Sequence, residues 1–289
     1  MKKILLLTDF SEASHKALEF ARSFFSDTVV DFHLLCVYPV EADGFYSPRH
    51  VAETVHTAFI SQLRDMVTEL RKQPAIDWHT FRSSAMPGKL IDVVRQNLDA
   101  EAYDLVVIGA KKDGTNELFG NSATTLIRQL NANILVVPFD AVSKPIRRIV
   151  LAIDFANLKS CKLLCPVKEL ASLKGATLTL LTIDTPGKKA IRLEREISIR
   201  QFLAPLEPTV ARLQSSDARK GIDDYLAGHS VDLLVTIPKH KGLNDILTGK
   251  SITRSLAYMP PVPMLTLYDD GSSDQPRLIE DLSNLDYAL

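Results

Sequence analysis

The stretch Lys2–Ser11, KKILLLTDFS, decides the fold, because Arg147–Ala156, RRIVLAIDFA, repeats it midway along the chain. Each copy has basic residues, an apolar run, then Asp-Phe and a small residue. Ile4–Thr8 is almost wholly apolar, the pattern of a short strand covered on both faces. Ser11 behind it offers a helix N-cap. Ala17, Phe20, Ala21 and Phe24 then follow at helical spacing and give an apolar stripe.

The same grammar extends outward from both copies. In the first half, DFHLLCVYP, DWHTFRSS, DLVVIGA and NILVVPF read as further strands. The stretch from about His50 to Arg71, then GKLIDVVRQNL and SATTLIRQL, read as the helices between them. In the second half RRIVLAID, TLTLLTID, TVARLQSSD, DLLVTIP and PMLTLYD read as strands. KLLCPVKELASL, about Lys188 to Leu203, ARKGIDDYLAG and SITRSLAYM read as helices. Pro166 either lies in the first turn of its helix or kinks it. Strands alternating with helices mean parallel βα units in open sheets, an α/β fold. Asp9 matches Asp154, FRSS at Phe81–Ser84 matches LQSS at Leu213–Ser216, and YDLVVI at Tyr103–Ile108 matches VDLLVT at Val231–Thr236. A period near domain length means duplication rather than a solenoid. The expected domains are residues 1–140 and 146–268, split at the polar DAVSKP. An acidic, Ser/Asp-rich tail over 269–289 is expected to be partly disordered or docked by its few leucines.

Bulk composition is that of an ordinary globular protein. The 289 residues are 46% hydrophobic and 24% charged, with a net charge of −1. Such a balance gives no electrostatic case for nucleic acid or an anionic membrane as partner. The first apolar run is too short for a secretion signal, and no window approaches a membrane span. Cys36, Cys161 and Cys165 sit within or beside apolar segments and read as buried free thiols of a reducing compartment, so the cytoplasm is expected.

In an open α/β sheet the ligand crevice lies beyond the carboxyl ends of the strands, where the strand order reverses. In the first half that points to Thr8-Asp9-Phe10 and Ile108-Gly109-Ala110. Gly120, in FGNSATT, lets main chain approach a ligand. Asn121 or Ser122 caps the helix that follows, whose free N–H groups attract an anion such as phosphate. Each residue also has a plainer reading: Asp9 as a turn cap, Gly109 and Gly114 as turn glycines, Asn121 or Ser122 as an ordinary N-cap. Their placement at one end of adjacent strands favours a nucleotide site.

KKILLLTDFSEASHKALEFA, then LLCVY, then YDLVVIGAKKDG…FGNSATTLIRQLNANILVVP, resembles the universal stress protein family, in two tandem copies over nearly the whole chain. The resemblance implies parallel five-stranded sheets of order 3-2-1-4-5. It also implies an internal pseudo-dimer in which the fifth strands, Ile134–Pro138 and Met264–Tyr268, meet and cover two edges. Many members bind ATP, with the opening Asp and its neighbour on the nucleoside and a loop of pattern G-x2-G-x9-G-[ST] on the phosphates. By resemblance Asp9 and Thr8 are the nucleoside contacts, Val37 lies near the adenine, and Gly109 opens the loop. Lys112 stands at the second glycine position, with Gly114 displaced by two; Gly120 is followed by Asn121 before Ser122. In the second half Asp154 is kept, Ile153 replaces the threonine, and Ile237-Pro238 replaces Gly109-Ala110. A β-branched residue and a proline cannot adopt glycine's conformations. TGKS at Thr248–Ser251 aligns with FGNS but is not a Walker loop, because Asn244 stands where its partner glycine would be. The second site is expected to be degenerate, with a residual anion-binding role for Gly249–Ser251.

No G-x-S-x-G, H-E-x-x-H or C-x-x-C motif appears. Cys161 and Cys165, spaced i, i+4, read as core thiols. His33 and Cys36 lie on one strand at opposite parity and cannot easily share a metal. His229 and His240 sit in loops with no evident partner. The resulting expectation is a stress-associated regulatory protein binding an adenine nucleotide, ATP with or without Mg2+, mainly in the first domain, with at most slow hydrolysis. The alternative is a nucleotide-free scaffold, a pseudo-dimer that binds a small molecule or a protein. A further pairing into a homodimer is compatible with both.

Overall fold

A computed structural model of the chain describes residues 1–39, 48–72, 78–110, 117–158, 160–186, 193–238, 256 and 260–270. For 48–52 and 117–121 the description covers the backbone alone. The first half runs β1 (Lys2–Thr8), α1 (Glu12–Phe24), β2 (Val30–Tyr38), α2 (Pro48–Lys72), β3 (His79–Pro87), α3 (Leu90–Ala100), β4 (Leu105–Gly109), α4 (Glu117–Gln129) and β5 (Ile134–Val137). The second runs β6 (Arg148–Ala152), α5 (Cys165–Lys174), β7 (Thr177–Asp184), α6 (Leu193–Phe202), β8 (Thr209–Gln214), α7 (Ala218–Gly228), β9 (Leu233–Thr236) and β10 (Met264–Thr266).

The strands pair in the order β3-β2-β1-β4-β5-β10-β9-β6-β7-β8. Each half therefore has order 3-2-1-4-5, and the halves join into one ten-stranded sheet. The junction is the antiparallel pair β5–β10, with Leu135 opposite Leu265; the other pairs are parallel. The apolar runs explain the central position of these strands. Ile4, Leu5, Leu6, Leu34, Leu35, Ile134 and Leu135 are fully buried because helices cover both faces of the sheet. Ala17, Phe20, Ala21 and Phe24 of α1 are buried, as their spacing predicts. The apolar core on each face contains residues from both halves.

Caps follow the local chemistry. The Ser11 side chain accepts the Ser14 N–H at the start of α1. Gly175 ends α5 in the left-handed region, φ 57°, where glycine carries no Cβ penalty. Pro166 lies in the first turn of α5, where its missing N–H costs nothing. Cys161 belongs to a preceding 3-10 turn, Cys161–Leu164, rather than to α5. All three cysteines are free, but only Cys36 is buried; Cys161 and Cys165 are half-buried. α4 starts at Glu117, so Gly120, Asn121 and Ser122 lie inside its first two turns and do not cap it. Glu117 and Leu118 are good helix formers, and an internal glycine costs only about 1 kcal/mol against alanine. In SITRSLAYM only Leu256 is described, and it is helical. The tail from 271, Lys111 to Asn116, and TGKS lie outside the described residues. Among the described residues no helix is long and apolar enough to cross a membrane.

Candidate functional site

β1 lies between β2 and β4, so the chain leaves it toward one side and returns on the other. This is the switch point at which an open α/β sheet forms a crevice. Thr8, Asp9, Val37 and Gly109 line one recess there, together with Ser11, Ser14 and Leu90, with a cavity volume of about 30 Å³. That is room for a water or two.

Much of the polar chemistry at this recess is already engaged. Thr8 is buried, its Oγ1 lies 3.1 Å from Ser14 Oγ, and it accepts the Phe10 N–H at 3.2 Å. Asp9 Oδ1 accepts the Ser11 N–H at 3.1 Å and the Ser11 hydroxyl. These are the bonds of a turn cap. Phe10, between them, has φ 59°, an outlier for a bulky residue. Its ring stacks on Phe59 of α2 at 6.0 Å, and Phe59 stacks on Tyr38 at 4.8 Å, so an aromatic column holds the strained turn against α2. The β1–β2 ladder ends with Thr8 opposite Cys36, so Val37 projects one residue past β1 into the crevice. Burial, and then the nearby Asp9 carboxylate, push the Cys36 thiol up to about 11, so it is un-ionised at neutral pH.

Gly109 is explained by packing. A Cβ there would lie 2.3 Å from the Ala13 carbonyl oxygen in the first turn of α1. By resemblance this glycine opens the phosphate loop, and by its plainer reading it is a turn glycine; the structure gives it a close helix–strand contact that no local signal announces. Of the other expected site residues, Ser122 is half-buried on α4, Gly120 and Asn121 are described as helix backbone only, and Lys112 and Gly114 lie outside the described residues. Ser11, Ser14 and Leu90 were missed as lining residues. The N-cap position of Ser11 and the start of the apolar run at Leu90 were the available signals.

The second crevice is built differently. Asp154 keeps the turn role: Oδ1 accepts the Ala156 N–H at 3.3 Å and Oδ2 the Asn157 side-chain N–H at 2.5 Å. Ala152 pairs with Leu181, so two residues further Ile183 is the counterpart of Val37. Ile183 packs onto α7 at Gly221, where a Cβ would meet it at 2.6 Å. Ile153 and Ile183 are buried and Ile237 is half-buried, so aliphatic side chains occupy the positions that Thr8, Val37 and Gly109 hold in the first half.

His33 and His229 both have partners within the fold. His33 points away from Cys36, with Nδ1 2.6 Å from Tyr103 Oη and Nε2 2.7 Å from Ser84 Oγ. Burial, then the Arg82 charge, push its imidazole down to about 4, so it is neutral at pH 7. His229 does have a partner: its Nδ1 is 2.9 Å from the Tyr225 carbonyl and its ring stacks on Tyr225 at 4.0 Å. His240 lies outside the described residues. Among the described residues there is no metal-ligating cluster.

Fold and crevice together define a doubly wound α/β protein carrying the same switch-point architecture twice. Residues 1–138 match the universal stress protein family, so the first half of the chain is a universal stress protein domain. A universal stress protein from Archaeoglobus fulgidus DSM 4304 matches with a TM-score of 0.73 and 16% identity, over 93% of this chain and 97% of its own. A functionally unknown protein from Pseudomonas aeruginosa PAO1 matches with a TM-score of 0.64 and 18% identity, over 94% of both chains. A universal stress protein family protein from Arabidopsis thaliana, solved with AMP bound, covers 48% of this chain and 92% of its own at 16% identity. Its TM-score of 0.28 is too low to carry its ligand across. No curated protein sequence matches significantly.

Proposed function

We propose that this is a stress-associated regulatory protein of the cytoplasm that binds an adenine nucleotide, ATP first among the candidates, in the first-half crevice. The observation that carries the reading is the convergence of Thr8, Asp9, Val37 and Gly109, from three strands and one turn, on a single recess at the switch point. Asp9 brings to the recess a carboxylate, the acceptor type that suits ribose hydroxyls, and Val37 presents main chain beyond the last β1 pairing. The present recess is smaller than a nucleoside, so binding requires it to widen, and that work lowers the apparent affinity. The proposed domains are 1–140 and 146–268, with the second crevice closed by Ile153, Ile183 and Ile237. Any pairing with a second copy must use a surface other than β5 and β10, whose edges are already joined.

A nucleotide-free scaffold is favoured by the small recess and by the packing role of Gly109. Mass spectrometry under non-denaturing conditions, followed by titration with millimolar ATP and Mg2+, separates the two readings. The expected stoichiometry is one nucleotide per chain, lost in Asp9→Ala and kept in Asp154→Ala. No nucleotide at millimolar ATP sinks the proposal and leaves the scaffold. Two per chain, or loss in Asp154→Ala, refutes the closed second crevice.

A further inference from the structure

A second recess, with a cavity volume of about 690 Å³, opens near the amino ends of β1, β4 and β5, between α1 and α5. Its floor includes Ile4, Leu135 and, across the β5–β10 seam, Leu265; its sides include Phe24 at the end of α1 and Leu170 on α5. The volume lies within the range of small-molecule sites, which favour seams between structural units. The walls are mainly aliphatic and aromatic, drawn from both halves of the chain.

The charges at its mouth compensate one another. Lys2 Nζ lies 3.4 Å from Asp104 and 3.5 Å from Glu169. Lys168 donates to the Phe202 carbonyl at 2.7 Å and stands 4.6 Å from the centre of the Phe202 ring. Lys2 and Lys168 balance Asp104 and Glu169 in number, so the lining has no net charge with which to select an ion. A neutral head meets a different prospect at Asn133. Its side-chain N–H reaches the Asp104 carbonyl only at 3.5 Å, beyond an ordinary hydrogen bond, whereas its oxygen accepts the Tyr268 N–H at 3.0 Å.

We propose that this recess binds an uncharged amphiphile: an apolar chain or fused-ring body carrying one hydroxyl or carbonyl head turned toward Asn133. Affinity arises from removing the body from water between α1 and α5, and Asn133 supplies orientation. Because the walls come from both halves, occupancy ties the halves together and raises the stability of the whole chain. The site is independent of the nucleotide crevice.

The test uses the full chain and Nile red, a neutral fused-ring ketone whose emission rises in apolar surroundings. Nile red is then displaced by 1-decanol, decanoate or decyltrimethylammonium, each below its aggregation limit. The expected result is saturation at one dye per chain, with displacement by decanol at a concentration about tenfold lower than either ion requires. Decanol also raises the Tm. Leu170→Trp fills the recess and weakens dye binding about tenfold or more. Leu173→Trp, at a more exposed site on the rim, does the same and serves if the first variant does not fold. Asn133→Asp reverses the preference toward the ammonium head. Absence of a saturable signal, equal displacement by all three heads, or unchanged binding in the folded Trp variant overturns the proposal.

Discussion

At Gly109 the main chain of β4 comes so close to α1 that any side chain would enter the Ala13 peptide group. Gly109→Ala is therefore expected to destabilise the protein by about 1–3 kcal/mol through overpacking against backbone. A lowered urea midpoint at unchanged slope checks it; an unchanged midpoint would mean that α1 yields without cost. This makes Gly109 a poor probe of ligand binding and Asp9 the better one. Asp232 is a second residue with a decisive environment. Its burial opposes ionisation, but hydrogen bonds from Lys144 and Arg148 and from the Arg147 and Arg148 N–H groups outweigh that and hold its carboxyl at about 2. The folded value lies below the unfolded value of about 3.9, so the stabilisation is complete above pH ~4 and is lost as the pH falls toward 2. Asp232→Asn is expected to remove about 2 kcal/mol at pH 7 and to flatten the acid limb of the stability curve between pH 4 and 2. An acid limb identical to that of the parent would refute the assignment.

Among the elements, the three-residue β10 joins the halves. Leu267 N–H bonds to Thr236 on β9, so by alternation the main-chain N–H groups of Met264 and Thr266 face β5. The Thr266 hydroxyl donates to the Ile134 carbonyl at 3.2 Å. Thr266→Pro removes both bonds at the seam and is expected to cost about 3 kcal/mol or more. It also frees the β5 edge, so light scattering should show self-association. A stable, monodisperse variant would mean that side-chain packing alone holds the seam. Helix α5 reinforces the same junction: Lys174 Nζ lies 2.7 and 2.8 Å from the two Asp27 carboxylate oxygens and also donates to the Phe24 carbonyl at the end of α1. A lysine at that position satisfies an otherwise orphan carbonyl.

For the whole molecule, one sheet and two cores shared between the halves imply that neither half melts by itself. A single calorimetric transition with matching calorimetric and van't Hoff enthalpies is expected. Two resolved transitions would show that the seam is weaker than its geometry suggests. Much of this architecture was legible beforehand. The apolar runs at Ile4–Thr8 and Ile149–Ile153 marked strands covered on both faces, and Asp9 stands at the switch point, next to the end of β1. The start of α4 was misread because Gly120, a helix breaker by propensity, is tolerated inside a helix. The partner of His229 is Tyr225, one helical turn before it; the carbonyl contact is one that no residue type encodes, whereas the ring stacking at i, i+4 is legible once the helix is taken to run up to His229.

The sequence by itself determined the α/β class, the repeated strand order and the place of Asp9 and Asp154 in the turns that follow β1 and β6. These rest on periodicity and on local chain chemistry, which act between residues close in sequence. Only the tertiary structure decided that the fifth strands meet antiparallel with Leu135 opposite Leu265, that Gly109 serves helix packing, that Ile183 packs onto Gly221, and that a recess opens between α1 and α5. Those outcomes depend on distances between residues tens to more than a hundred positions apart. Such distances are set by how the layers pack, and the apolar pattern that drives packing specifies which face is buried without specifying how closely two buried faces approach.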